Sequence, residues 1–212
     1  EDACLSINER RDRQLKCDGA VGLTMRQKII LYSTWKYPAL EIGCRDGEFT
    51  QLMVASDPLY IVDAHQEFLD NTNNKFNPQY QRRLRKYLIK KHDLSALPAN
   101  QFAFVFSWGY FNFISLDTFE LYLRQIFTLM RPGGIFLFSF NNGDTVEGAE
   151  AAEIAYQTYV PKRLLCEKCK TVGFEITQSE DYCGISWLEI KKPGELQTIK
   201  AHQALGEIKR LS

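Results

Sequence analysis

Two acids and two glycines carry the chemical signal in this sequence. In Ala39-Leu40-Glu41-Ile42-Gly43-Cys44-Arg45-Asp46-Gly47-Glu48-Phe49-Thr50, a short apolar run meets Glu41, a turn holding Gly43 and Gly47 follows, and an amphipathic segment opens. A buried parallel strand hands over to a helix in this way, across a loop that holds a ligand. Glycine suits a backbone that must turn tightly and come close to a bound molecule. Twenty residues past Gly43, the run Leu59-Tyr60-Ile61-Val62-Asp63 ends in a second acid. A carboxylate at the tip of a neighbouring strand can accept hydrogen bonds from both hydroxyls of a ribose. The pair points to a nucleoside-containing cofactor without saying which.

The elements that must position these residues follow from periodicity and breakers. Thr24 is expected to cap a helix over Met25–Trp35, which Pro38 ends. The first strand is 39–43, with a helix over about 47–55; the second is 59–63, with a helix from near His65 that breaks in the Asn-rich stretch Asn71–Gln81. Arg82–Lys91 is the one basic cluster, read as a solvated helix end and an edge-near third strand in preference to a phosphate clamp. Phe102–Ser107 is an unbroken apolar run, as in a strand buried on both faces. A helix capped by Ser115 or Asp117 runs through Met130, and Gly134–Phe140 is the fifth strand. A helix-prone stretch at 146–159, a helix at 162–172 and an antiparallel pair, Phe174–Ser179 with Ile185–Lys191, complete the chain's core. The order predicts an α/β fold: a Rossmann-like, doubly wound seven-stranded sheet, mostly parallel, with a C-terminal antiparallel hairpin.

The pattern Glu41-x-Gly43-x-x-x-Gly47 with Asp63 resembles the class I S-adenosylmethionine-dependent methyltransferases, in particular their small-molecule, type 11-like branch. His92-Asp93-Leu94, Phe102–Trp108 and Arg131-Pro132-Gly133-Gly134 fit the same resemblance, which covers roughly residues 24–191. It implies S-adenosyl-L-methionine as cofactor, held by Glu41, Gly43, Cys44, Arg45, Gly47, Asp63, Ala64, Asp93, Leu94, Ser107 and Trp108. Asp93 would contact the adenine. The family usually has glycine where Arg45 stands, so the side chain here narrows the loop or reaches over the cofactor. The chain divides on this reading into an N-terminal arm (1–23), the methyltransferase domain (24–192) and a C-terminal helix (193–212). The arm is polar, and the apolar stripe of the last segment would pack on the domain or against an oligomeric or fusion partner.

Methyl transfer is an in-line displacement on an activated sulfonium, so alignment and exclusion of water are the main tasks. A base is required only when the acceptor must lose a proton. The residues for the acceptor are expected in the loops after the fourth and fifth strands, with Trp108, Tyr110 and Asn142 as candidates; no catalytic residue is assigned. Aromatics there would stack on a flat small-molecule acceptor or seal the pocket roof. The expected reaction is transfer to an oxygen or nitrogen. The alternatives are a non-catalytic binding module of a larger protein, or a nucleic-acid or protein methyltransferase. A nicotinamide enzyme fits less well, because the loop lacks the Gly-x-Gly-x-x-Gly spacing.

The whole-chain balance agrees. The 26 basic and 26 acidic side chains of the 212 residues cancel, which argues against a nucleic-acid backbone as main partner. No apolar run approaches a membrane span and no secretory signal is visible. The six cysteines lack a disulfide rhythm, and Cys166-x-x-Cys169 falls within a helix with no second pair to complete four ligands. No metal is therefore expected, and reduced thiols in the cytoplasm are. The chain opens on Glu1 without an initiator methionine, as would a piece of something longer.

Overall fold

The computed structural model describes residues 7–182 and 184–196, so the expected helix at 193–212 lies almost wholly outside the described residues. Strands and helices alternate largely in the predicted order. The strands are β1 (Ala39–Ile42), β2 (Leu59–Asp63), β3 (Arg85–Leu88), β4 (Phe102–Ser107), β5 (Met130–Phe140), β6 (Glu175–Tyr182) and β7 (Ile185–Lys191). The helices are α1 (Ile7–Tyr32), α2 (Gln66–Asn74), α3 (Pro78–Gln81), α4 (Leu116–Leu129), α5 (Val146–Ile154) and α6 (Lys162–Val172).

The seven strands form one sheet in the order β3-β2-β1-β4-β5-β7-β6. Neighbours from β3 through β5 pair in parallel, whereas β7 runs antiparallel to both β5 and β6. The direction of winding reverses between β1 and β4, and a crevice forms there beyond the strand carboxyl ends. Both faces of the sheet are covered. On one face Phe119, Tyr122, Leu123 and Ile126 of α4 and Leu165 and Cys169 of α6 pack on Leu40, Val105, Phe136 and Phe138. On the other, Val21, Met25 and Ile29 of α1 and Leu69 of α2 pack on Ile61, Phe104, Phe106 and Leu137. Burial on both sides explains why β4 reads as a continuous apolar run, with every residue buried.

Three expected elements differ. The first helix does not begin at Thr24: α1 starts at Ile7, and the Thr24 hydroxyl bonds back to the Ala20 carbonyl at 3.1 Å, one turn earlier in the same helix. Thr24 is a poor guide because such back-bonding lets threonine sit inside a helix. The helix over 47–55 is absent, and only a 3₁₀ turn at Thr50–Leu52 forms. Gly47 is left-handed (φ 76°), which breaks helical geometry at the expected start, and turns and bends carry the chain on to Pro58. The β5 strand also starts earlier than expected. Between its pairings Met130–Phe102 and Ile135–Phe104 the register slips, and Arg131–Gly134 bulges out of the ladder.

Candidate active site

The site grows from the end of β1. Glu41 is 2% exposed, and its carboxylate accepts a hydrogen bond from the buried Thr50 hydroxyl. Burial pushes the Glu41 carboxyl up to about 8; Asp63 and Asp46 add to the rise and the Thr50 bond opposes it. Gly43 then turns the chain at φ 76°. Ser107, at the end of β4, ties the two strand tips by donating to the Ile42 carbonyl at 2.8 Å.

Asp63 closes β2 and is 2% exposed. Its carboxylate accepts from the backbone N–H groups of His65, at 3.0 Å, and Arg45, at 3.3 Å. The Cys44 thiol points to the same carboxylate at 4.0 Å, and burial raises that thiol to about 12, so it stays protonated. Asp63 thus braces the first loop against the second. Ala64, next to it, is exposed.

A cavity of about 550 Å³ opens above this corner, lined by Glu41, Gly43, Cys44, Arg45, Asp46, Glu48, Phe49, Phe68 and Trp108, with Val21 and Gly22 of α1 and Ile185 of β7. Five of the expected cofactor residues, Glu41, Gly43, Cys44, Arg45 and Trp108, therefore share one space. Gly47 supports that space from behind, because a Cβ on it would stand 2.9 Å from the Thr72 side chain of α2. Asp93 is exposed and accepts from the Ser95 amide at 2.8 Å and hydroxyl at 2.9 Å, which hold its carboxyl below the usual range. The adjacent Leu94 is buried, with its N–H donated to Gln125 Oε1 at 2.7 Å.

A second cavity, of about 490 Å³, shares Trp108 and Ile185 with the first. Ser139, Asn112 and Gln157 make its polar side and Glu147, Glu150 and Ile154 of α5 its outer wall. Ser139 Oγ accepts from the Gly109 N–H at 2.7 Å and donates to Asn112 Oδ1 at 3.1 Å; Asn112 Nδ2 donates to Gln157 Oε1 at 3.0 Å. Of the acceptor candidates, Trp108 separates the two cavities. Tyr110 lies between the first loop and α4, its hydroxyl 2.8 Å from that of Tyr122. Asn142 is buried at the root of α5, bonded to Asp181, Asp144 and Lys162.

Sequence reasoning missed the wall residues from distant segments: Val21 and Gly22, Phe68, Ser139 and Ile185. Gly22 was visible as a glycine, but nothing local says that α1 passes the crevice. Among the described residues, no cluster of His, Cys, Asp or Glu is arranged to hold a metal ion, and no helix is long and apolar enough to cross a membrane.

Residues 40–136 match a family model described as a methyltransferase domain. No curated protein matches the sequence. Solved structures do share the fold. A chain from the complex between the Haloferax volcanii Trm112 methyltransferase activator and a methyltransferase superposes with a TM-score of 0.69 at 14% identity, covering 86% of this chain and 95% of that one. An S-adenosylmethionine-dependent methyltransferase from Mesorhizobium loti gives 0.68 at 12% identity, covering 82% and 99%. A geranyl diphosphate methyltransferase in complex with S-adenosylmethionine gives 0.69 at 7% identity, covering 90% and 93%.

Proposed function

We propose that this chain, whose residues 40–136 match the methyltransferase domain model and whose fold is shared with an S-adenosylmethionine-dependent methyltransferase, binds S-adenosylmethionine and passes its methyl group to a small-molecule oxygen or nitrogen. One observation carries the reading. Two cavities of ligand size meet at Trp108, beyond the strand carboxyl ends and beside the first loop. The first suits the cofactor: the backbone of Gly43–Asp46 borders it, and Phe49, Phe68 and Trp108 give it apolar walls. The second suits an acceptor.

The cofactor would supply an electrophilic methyl carbon bound to a sulfonium. The chain's own residues would align and shield. Trp108, stacked parallel to Phe106 with ring centres 6.4 Å apart, is braced at the junction through which the acceptor must approach. Glu147 and Glu150 line the second cavity, and a carboxylate there could take a proton from a hydroxyl as it reacts or from an ammonium before it does.

Calorimetry with S-adenosylmethionine, its demethylated product and NAD tests the reading: 1:1 binding of the two sulfur nucleosides and none of NAD is expected. Saturable NAD binding with no response to either nucleoside would sink it. A second reading, a binding module without turnover, is favoured by the placement of Tyr110 and Asn142, two of the three acceptor candidates, which line neither cavity. Methyl transfer to any member of an acceptor panel decides for the enzyme.

A further inference from the structure

The two loops that border the first cavity lie side chain against glycine in both directions. The Tyr110 ring lies on Gly43: its Cβ, Cδ2 and Cγ are 2.6, 2.7 and 2.9 Å from the position a Cβ on Gly43 would take. In return, Arg45 Nη1 lies 3.3 Å from where a Cβ on Gly109 would be. Gly43 and Gly109 both have φ 76°, and their bare backbones leave room for the opposite side chain. Arg45 holds φ 47°, a conformation more readily taken by glycine. The Tyr110 hydroxyl is held by that of the fully buried Tyr122, which also lies 3.3 Å from His92 Nδ1.

We propose that Tyr110 and Arg45 form a clasp over the cofactor seat, and that the sulfur nucleoside binds only when these side chains leave Gly43 and Gly109. The proposal rests on the cofactor reading above. A glycine cradle is useful to a cofactor because backbone and ligand can touch, and the Tyr110 ring already covers one side of Gly43. Apparent affinity then falls by the fraction of molecules with the clasp open. The Tyr110 and Arg45 side chains thus set affinity by leaving the glycines, while the backbone of residue 45 still borders the seat.

The test is calorimetric titration of the full chain with S-adenosylhomocysteine, comparing wild type with Tyr110→Ala, Tyr110→Phe, Arg45→Gly and the double variant Tyr110→Ala/Arg45→Gly. Tyr110→Ala is expected to bind about tenfold more tightly than wild type. Tyr110→Phe keeps the ring and should gain less. Arg45→Gly should also tighten binding, and the double variant should gain less than the product of the two single gains, because one clasp is opened twice. Glycine accepts the backbone of residue 45 without strain, so Arg45→Gly decides the matter if Tyr110→Ala does not fold. Wild-type binding with no gain in either Tyr110→Ala or Arg45→Gly would overturn the clasp and leave the cofactor reading standing. Folded variants that all fail to bind would overturn both.

Discussion

The Thr50 hydroxyl donates to the Glu41 carboxylate inside the protein, at the root of the loop that borders the main cavity. That bond favours the ionised carboxylate, but burial wins and the folded carboxyl titrates near 8, above an ordinary value of 4.5. Between these values the unfolded chain has released a proton that the folded protein keeps. Its contribution to stability is therefore complete below about pH 4.5, declines as pH rises, and is lost above about pH 8, a change on the order of a few kcal/mol. Glu41→Gln should flatten this decline, as read by denaturant melts from pH 5 to 9. Thr50→Val should leave its onset in place and extend its end to higher pH.

Asp63→Ala should weaken binding of S-adenosylhomocysteine by about 1–3 kcal/mol, since it removes the proposed ribose acceptor. It also removes the acceptor for the amides of Arg45 and His65. Asp63→Asn keeps one oxygen and should lose less affinity. Equal affinity in wild type and a folded Asp63→Ala would mean that Asp63 serves the loop alone.

The segment Asn141–Tyr159 should act as a cover over the acceptor. It is pinned at its base: Asn141 Nδ2 donates to the carbonyls of Gly148, at 2.8 Å, and Thr158, at 3.3 Å. Asn142 holds Asp181, Asp144 and Lys162. Between these anchors α5 presents exposed Val146 and Ile154, so its own packing is thin. Hydrogen exchange over Val146–Tyr159 should slow when cofactor and acceptor are both bound. Asn142→Ala should speed it in the free protein at a cost of about 1–3 kcal/mol. Unchanged exchange on ligand binding, beside protection elsewhere in the cavity, would make the segment a fixed wall.

Away from the site, Lys28 of α1 and Glu189 of β7 form an ion pair at 2.5 Å, with 16% and 7% of their side chains exposed. The Thr177 hydroxyl donates to the other Glu189 oxygen at 2.8 Å, and the Lys28 amine sits 5.2 Å from the centre of the Trp187 ring. Lys28→Met leaves a buried carboxylate without its cation and should cost about 2–4 kcal/mol in thermal or denaturant unfolding. Adding Glu189→Leu should recover much of that loss. A double variant no more stable than Lys28→Met would show that Glu189 is held by Thr177 and not by charge.

Much of this fold is legible in local pattern. The apolar run Phe102–Ser107 announces a strand buried on both faces, and the acid-bearing runs at Glu41 and Asp63 announce the neighbouring strands β1 and β2. Ser115 caps α4 as its type suggests, accepting from the Thr118 N–H at 3.4 Å. Signals of this kind depend on residues within one element, where period and capping chemistry act directly. Local pattern misled at Thr24 and over 47–55, because a capping residue also sits inside helices and Gly47, at the expected start of the second segment, takes a left-handed conformation.

The sequence by itself determined the layered α/β sheet and the order of its strands and helices along the chain, since both follow from hydrophobic period and breakers, and it put two acids and two glycines near strand ends. Only the tertiary structure decided which side chains meet there. Tyr110 lies on Gly43, Arg45 reaches Gly109, the Asp63 carboxylate turns inward to two amides, and Val21 and Ile185 complete a wall from opposite ends of the chain. Those meetings depend on how elements far apart in sequence pack on the two faces of one sheet, and no local period encodes that.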